Sequence, residues 1–233
     1  RIQRNAAKSN GPISRIHAEL MQRDDVDVVI ALGPRTTQAL LEVPRLAKPS
    51  FGTFVLDRAL QGFPITPEGT SGRRNLSYLV EDAGLVELVE QLGAIFGGEG
   101  LGRLAFLLDE SYLTPDLNLP GELDDVRVRT GVSVSVVPAR RPYVDVVDDI
   151  PDGVDGVLVG PLYDSSEAEV RDLAEALIQR RVPSIAVGGS REVELGILSS
   201  LAPSSDLTRL ARRVALQVQD VLLGARAEDL SVS

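Results

Sequence analysis

Polar residues suited to holding a small molecule stand where apolar runs of this chain end. Residues 27–32 (DVVIAL) read as a strand, and Gly33-Pro34-Arg35-Thr36-Thr37 follow as a turn opening a helix. Open α/β sheets bind ligands beyond the carboxyl ends of their strands, and free N–H groups at a helix start suit an anion or a hydroxyl. Plain N-capping by Thr36 or Thr37 accounts for the same threonines. Asp57 stands at the end of the next run, residues 50–56. Asp109, Glu110, Ser111 and Tyr112 stand at the end of the run 103–108.

The sets needed for turnover are missing from the sequence. A serine triad needs a histidine beside an activated serine. His17, the sole histidine, reads as a surface residue next to the stripe Ile13, Ile16 and Leu20 of a helix over residues 12–23. No Gly-x-Ser-x-Gly elbow is present, and no Gly-x-Gly-x-x-Gly follows a strand. GGEGLG, residues 97–102, follows a helix and lacks the Gly-Lys-Ser/Thr ending of a phosphate loop. Asp24-Asp25, Asp124-Asp125 and Asp148-Asp149 fall at helix ends or in loops and read as solvated surface. The absence of cysteine excludes disulfides, thiolate catalysis and Cys-ligated metals. Polar strand ends without a catalytic set indicate binding without turnover, with no cofactor and no metal.

The elements that must position these residues are clearest in residues 154–189. Val157–Val159 read as a buried strand, ended by Gly160-Pro161. Asp164, Ser165 or Ser166 caps the following helix, whose stripe is Val170, Leu173, Ala174, Leu177 and Ile178. Arg180 and Arg181 suit its last turn, Pro183 stops it, and residues 185–187 resume as a strand. Residues 26–52 echo this order: Val-Asp, Gly-Pro at a strand end, a helix, then Pro-Ser. Two such units imply two similar α/β lobes with parallel sheets. Residues 61–74 read as a loop, 75–80 as a strand, and 81–96 as a helix closed by Ile95 and Phe96. Residues 113–130 read as looser chain, 132–137 as a strand, 143–150 as a short helix and 196–202 as extended. Residues 204–223 form the strongest helix pattern, capped by Ser204, Ser205 or Asp206, with Leu207, Leu210, Ala211, Val214, Val218 and Val221 in its stripe. A strand begins at residue 230.

Composition narrows the function classes. The 233 residues are 43% hydrophobic and 25% charged, as in ordinary globular proteins. A formal charge of −10 and a pI near 4.7 argue against nucleic acid and against docking on anionic lipid. No apolar run approaches the ~20 residues of a membrane span, so direct membrane insertion is not expected. The polar start RIQRNAAKSN carries no secretion signal, and upstream sequence is expected.

Residues 26–57, SGRRNLSYLV, VDGVLVGPL with RRVPSIAVGG, and above all ELGILSSLAPSSDLTRLARRVALQVQDVLLGARAEDLSV resemble the ABC-transporter substrate-binding-protein family with the type I periplasmic-binding fold. NLSYLV and LARRVALQVQDVLLG are also similar to the version of this domain that accompanies TolC-like outer-membrane efflux proteins. The resemblance covers residues 26–232. It implies an α/β, two-lobed fold with parallel sheets flanked by helices, truncated at both ends. Lobe one would hold residues 1–75 plus 203–228, and lobe two residues 76–202. The inter-lobe cleft would be lined by Gly33, Arg35, Thr36, Thr37 and Asp57 from lobe one. Asp109, Ser111, residues 160–164 with Tyr163 and Asp164, and Gly188-Gly189 would face them. Leu56-Asp57-Arg58 stands where many members of the family have Asp-Pro.

The function so implied is the solute-binding component of an ABC-type transport system in the periplasm or cell envelope. Its partners would be a small-molecule ligand and an ABC permease. Arg35 would pair a ligand carboxylate, and Tyr78 or Tyr163 would stack on a ring. The alternative is an accessory module of an outer-membrane efflux system, with a degenerate pocket and an efflux component as partner.

Overall fold

The computed structural model describes residues 13–55, 57–80, 84–95, 100–113, 119–162, 165–187, 189–200 and 207–232. The chain is an α/β protein whose strands form two sheets, parallel throughout and flanked by helices. It divides into two compact units: Arg1–Gly84 with Leu207–Ser233, and Leu85–Asp206.

The first unit begins with α1 (Ile13–Met21), then β1 (Val29–Ala31), α2 (Pro34–Gln38), β2 (Ser50–Val55), α3 (Arg58–Gln61) and β3 (Leu76–Val80). The sheet order is β1-β2-β3. Leu76–Val80, which the resemblance gives to the second lobe, is therefore hydrogen-bonded into the first unit's sheet. Its first four residues are buried, as a strand covered on both faces must be. Met21, Leu40, Leu46, Leu76, Tyr78 and Val232 pack into one core cluster. The Lys48 ammonium fastens the chain after α1 by donating to the carbonyls of Arg23 and Val26.

α1 corrects the expected position of His17. The imidazole is only 4% exposed and lies, with Met21, on the buried face. Ile13, Ile16 and Leu20 are half-buried. α3 corrects another expectation, since Gln61 ends a turn of helix instead of starting a loop. Asp57 caps it by accepting from the Leu60 N–H, and Gly62 closes it at φ 69°.

The second unit contains α4 (Leu85–Ile95), β4 (Arg103–Asp109), α5 (Leu119–Thr130), β5 (Ser133–Ala139), β6 (Gly156–Val159), α6 (Glu167–Gln179), β7 (Ser184–Ala186), α7 (Ser190–Glu194) and β8 (Ser199–Ser200). Its strand order is β5-β4-β6-β7-β8. Side chains of β4 alternate between two cores. Ala105 and Leu107 join Val157, Val159, Leu173 and Tyr143 on one face, while Leu104, Phe106 and Leu108 join Leu88, Val89 and Leu158 on the other. Pro138 is tolerated because β5 is an edge strand. Residues 143–149 form a 3-10 helix where a short helix is expected.

Ser166 is the cap of α6, in a capping box with Glu169. Four of the expected stripe residues, Val170, Leu173, Ala174 and Leu177, are buried, but Ile178 is 62% exposed. Ile95 is likewise 66% exposed at the end of α4, and Phe96 lies outside the described residues. α5 occupies chain read as loose; it buries only Glu122 and Val126, so its apolar periodicity is weak. α7 takes up residues that carry no expected element, and β8 is only two residues long within the stretch 196–202.

The chain then returns to the first unit in α8 (Leu207–Leu222). The expected caps Ser204, Ser205 and Asp206 lie outside the described residues. Val214 and Gln217 are buried, Leu210, Val218 and Val221 half-buried, and Ala211 exposed. Gln217 accepts from the Ser77 hydroxyl at 3.4 Å and donates to the Ser231 carbonyl at 2.7 Å. The strand expected from residue 230 is a single antiparallel bridge, Thr70 to Ser231. No helix among the described residues is long and apolar enough to cross a membrane.

Candidate functional site

The strongest site geometry lies at the carboxyl ends of β4 and β6. Strand order reverses there: β5 follows β4 in sequence but lies on its far side, and β6 pairs with β4 on the other. Crossovers on the two sides of such a point diverge and leave a crevice, where ligands of open α/β sheets bind.

Asp109 ends β4 and is 5% exposed. Its Oδ1 accepts from the Ser111 N–H at 2.9 Å, capping the 3-10 turn Glu110–Tyr112. Its Oδ2 accepts from the Tyr143 hydroxyl at 2.5 Å. Burial, reinforced by this hydrogen bond to the Asp109 carboxylate, pushes the Tyr143 phenol well above its usual range, so it stays a donor. The hydroxyl oxygen of Ser111 is buried and has no hydrogen-bond partner among the described residues. A buried hydroxyl left unpaired costs free energy, and a ligand atom would satisfy it.

Gly160, just past β6, completes this edge. Its N–H donates to the Leu107 carbonyl at 2.9 Å. A Cβ there would come within 2.8 Å of that carbonyl oxygen and 3.1 Å of the Phe106 ring, so only glycine lets the backbone approach β4 so closely. Charged pairs frame the region: Arg140 with Glu110 at 2.7 Å, and Arg141 with Glu169 at 2.8 Å. A half-open depression of 380 Å³ follows the end of β5, lined by Pro138, Arg140, Arg141, Pro142, Asp145, Val146 and Asp149. Tyr163, Asp164 and Gly188, named from the sequence, lie outside the described residues.

In the first unit the expected residues gather at the carboxyl edge of β1 and β2, but most are already committed. Gly33 has φ 90°, which favours glycine, and its N–H is taken by the Thr53 hydroxyl at 3.2 Å. Pro34 has no N–H to offer. Thr36 turns its hydroxyl to the carbonyls of Leu32 and, at 2.9 Å, Gly33. Thr37 is fully buried; its hydroxyl donates to the Ala31 carbonyl at 3.3 Å and accepts from the Phe54 N–H at 3.4 Å. Neither threonine therefore serves as a simple N-cap. Arg35 is half-buried in α2. Asp57 is buried as the cap of α3, where Gln61 links back to Gln38 at 3.0 Å.

Tyr78 replaces the expected ring-stacking platform with a core residue. It is fully buried, donates to the Pro64 carbonyl at 2.6 Å, and packs against Phe63 with ring centroids 4.8 Å apart. Burial pushes its phenol up to about 12.

Tyr143 is the site residue that sequence reasoning missed. Its partner lies 34 residues away, and no local pattern joins them. The available signal was chemical, because a buried tyrosine hydroxyl needs a polar partner. Among the described residues, no group of three His, Cys, Asp or Glu side chains is arranged to hold a metal ion.

No protein-family model matches the chain, and no curated protein sequence matches it. Solved structures do. The ABC domain from Streptococcus pneumoniae in complex with L-Trp is similar over 95% of this chain and 74% of its own, with 17% identity and a TM-score of 0.69. A conserved domain protein from Vibrio cholerae O1 biovar El Tor is similar over 94% and 71%, with 18% identity and a TM-score of 0.69. A ligand-free, open substrate-binding protein with adhesive properties from Clostridium difficile is similar over 95% and 72%, with 16% identity and a TM-score of 0.57. The chain thus has a periplasmic-binding-protein-like α/β fold.

Proposed function

We propose that the chain is the solute-binding component of an ABC-type transport system, holding a small molecule without transforming it. The observation that carries this reading is the buried, unpartnered hydroxyl of Ser111 at the switch point between β4 and β6. A site with a fixed carboxylate, an unsatisfied hydroxyl and a close-packed glycine is built to orient a guest. Asp109 and Ser111 make the contacts from the second unit, with Tyr163 and Asp164 following β6. Within the first unit, Arg35 would suit a ligand carboxylate. The permease of the same system is the partner, and the periplasm or cell envelope the location.

The burial of Thr37 and Tyr78 favours one second reading. With both side chains committed to the core and turned from any guest, the pocket is degenerate and the chain serves as an accessory module of an outer-membrane efflux system. A thermal-shift screen against amino acids, including L-tryptophan, and against sugars and nucleosides separates the two. The transport reading expects at least one compound to raise the melting temperature in a saturable way. No response across the panel supports the accessory module.

A further inference from the structure

His17 lies in the first unit, on α1, and is not among the residues assigned to ligand. The imidazole is 4% exposed on the inner face of α1. Among the described residues its Nδ1 is buried without a hydrogen-bond partner, which leaves Nε2–H as the donor facing the Ala39 backbone. The ring is therefore neutral and sits with one nitrogen uncapped.

We propose that His17 is an acid-sensitive latch: proton uptake at the uncapped Nδ1 turns a buried neutral ring into a buried cation and releases α1 from the first unit. The surroundings give the new charge little support. On α1 itself, Arg15 and Glu19 pair with each other at 3.7 Å. From the chain after α2, Glu42 favours the cation, but the Arg73 guanidinium is bonded to the Leu41 and Val43 carbonyls of the same stretch. β1 contributes Val29 and Ala31 to the core, and neither titrates. Beyond α1, Lys48 is tied to the Arg23 and Val26 carbonyls, and Arg23 pairs with Asp25 at 2.7 Å. Burial outweighs Glu42 and holds the ring's pKa below its usual value.

The sign follows from linkage. The unfolded chain takes up the proton near pH 6.5, the folded chain only at lower pH. The latch is fully closed above about pH 6.5 and weakens as pH falls towards the folded value, by up to about tenfold per pH unit.

Because the chain has one histidine, its ring signals in NMR spectra of a histidine-labelled sample need no assignment. The expected result is an Nε2–H tautomer at pH 7.5, titration below pH 6.5, and loss of amide-exchange protection in residues 13–21 that begins near pH 6.5 and levels off where the ring titrates. Protection in β4 and β6 of the second unit should hold over that range. His17→Gln keeps a donor for Ala39 and has nothing to titrate, so its α1 protection should not change between pH 7.5 and 5.5. Titration of the wild-type ring near 6.5, or equal acid loss of α1 protection in wild type and variant, overturns the proposal. Should His17→Gln not fold, the wild-type curves still decide: protection must begin to fall near pH 6.5 and level off where the folded ring titrates, and any other relation overturns the proposal.

Discussion

The Tyr143 hydroxyl donates to Oδ2 of Asp109 across 2.5 Å, joining the 3-10 helix after edge strand β5 to the end of β4. Both residues are buried, so neither polar atom has water to fall back on. Tyr143→Phe is expected to destabilise the chain by about 1–3 kcal/mol in urea unfolding. Because the folded phenol's pKa is raised, this contribution is fully present below about pH 10 and lost as pH rises above it. Wild type should therefore lose stability at alkaline pH more steeply than Tyr143→Phe; parallel curves would show that the hydroxyl does not carry the shift.

Gly52 and Thr37 form a lock within the first unit. A Cβ on residue 52 would lie 2.4 Å from Thr37 Cγ2 and 3.2 Å from Tyr78 Cβ. Gly52→Ala is expected to cost about 1–3 kcal/mol through overpacking. Adding Thr37→Ser removes the clashing methyl and keeps the hydroxyl, so the double variant should recover part of the loss. Strict additivity in this double-mutant cycle would contradict the packing account.

Ser111 should behave unlike other buried hydroxyls. Its oxygen has no partner to lose, so Ser111→Ala is expected to change stability by less than about 0.5 kcal/mol or to raise it. Thr37→Ala, by contrast, breaks one buried and one partly buried hydrogen bond and should cost more than about 1 kcal/mol. Thermal unfolding of the two variants side by side checks the contrast.

Ser166→Ala removes the cap of α6 and should lower stability by about 1 kcal/mol. Ser165→Ala, outside the capping box, loses only a partly buried bond to the Leu162 carbonyl and should cost less. Equal effects would show that the cap is shared along the segment.

The alternation of buried strands and helices was legible because each strand is a short apolar run and each well-packed helix carries a stripe. Val157–Val159 and the residues Val170, Leu173, Ala174 and Leu177 are plain cases. Ile178 escapes the core because one residue past Leu177 turns about 100° around the helix axis, off the packed face. α5 escaped notice because it presents little apolar surface to its neighbours. His17 was misplaced because an amphipathic reading counts histidine as polar, whereas a neutral imidazole can be buried. At the candidate site, Asp109 and Ser111 were legible as polar residues at a strand end. Thr37 and Tyr78 were not, because whether a hydroxyl or a ring faces ligand or core depends on contacts distant in sequence. The same holds for the Tyr143–Asp109 bond.

The most direct measurement is calorimetric titration of wild type and Ser111→Ala with the compounds that give thermal shifts. The account predicts saturable binding to wild type and affinity roughly threefold to tenfold weaker in Ser111→Ala, the worth of one hydrogen bond. Equal affinity in the two proteins, or no binding by any compound, would contradict a ligand site at the ends of β4 and β6.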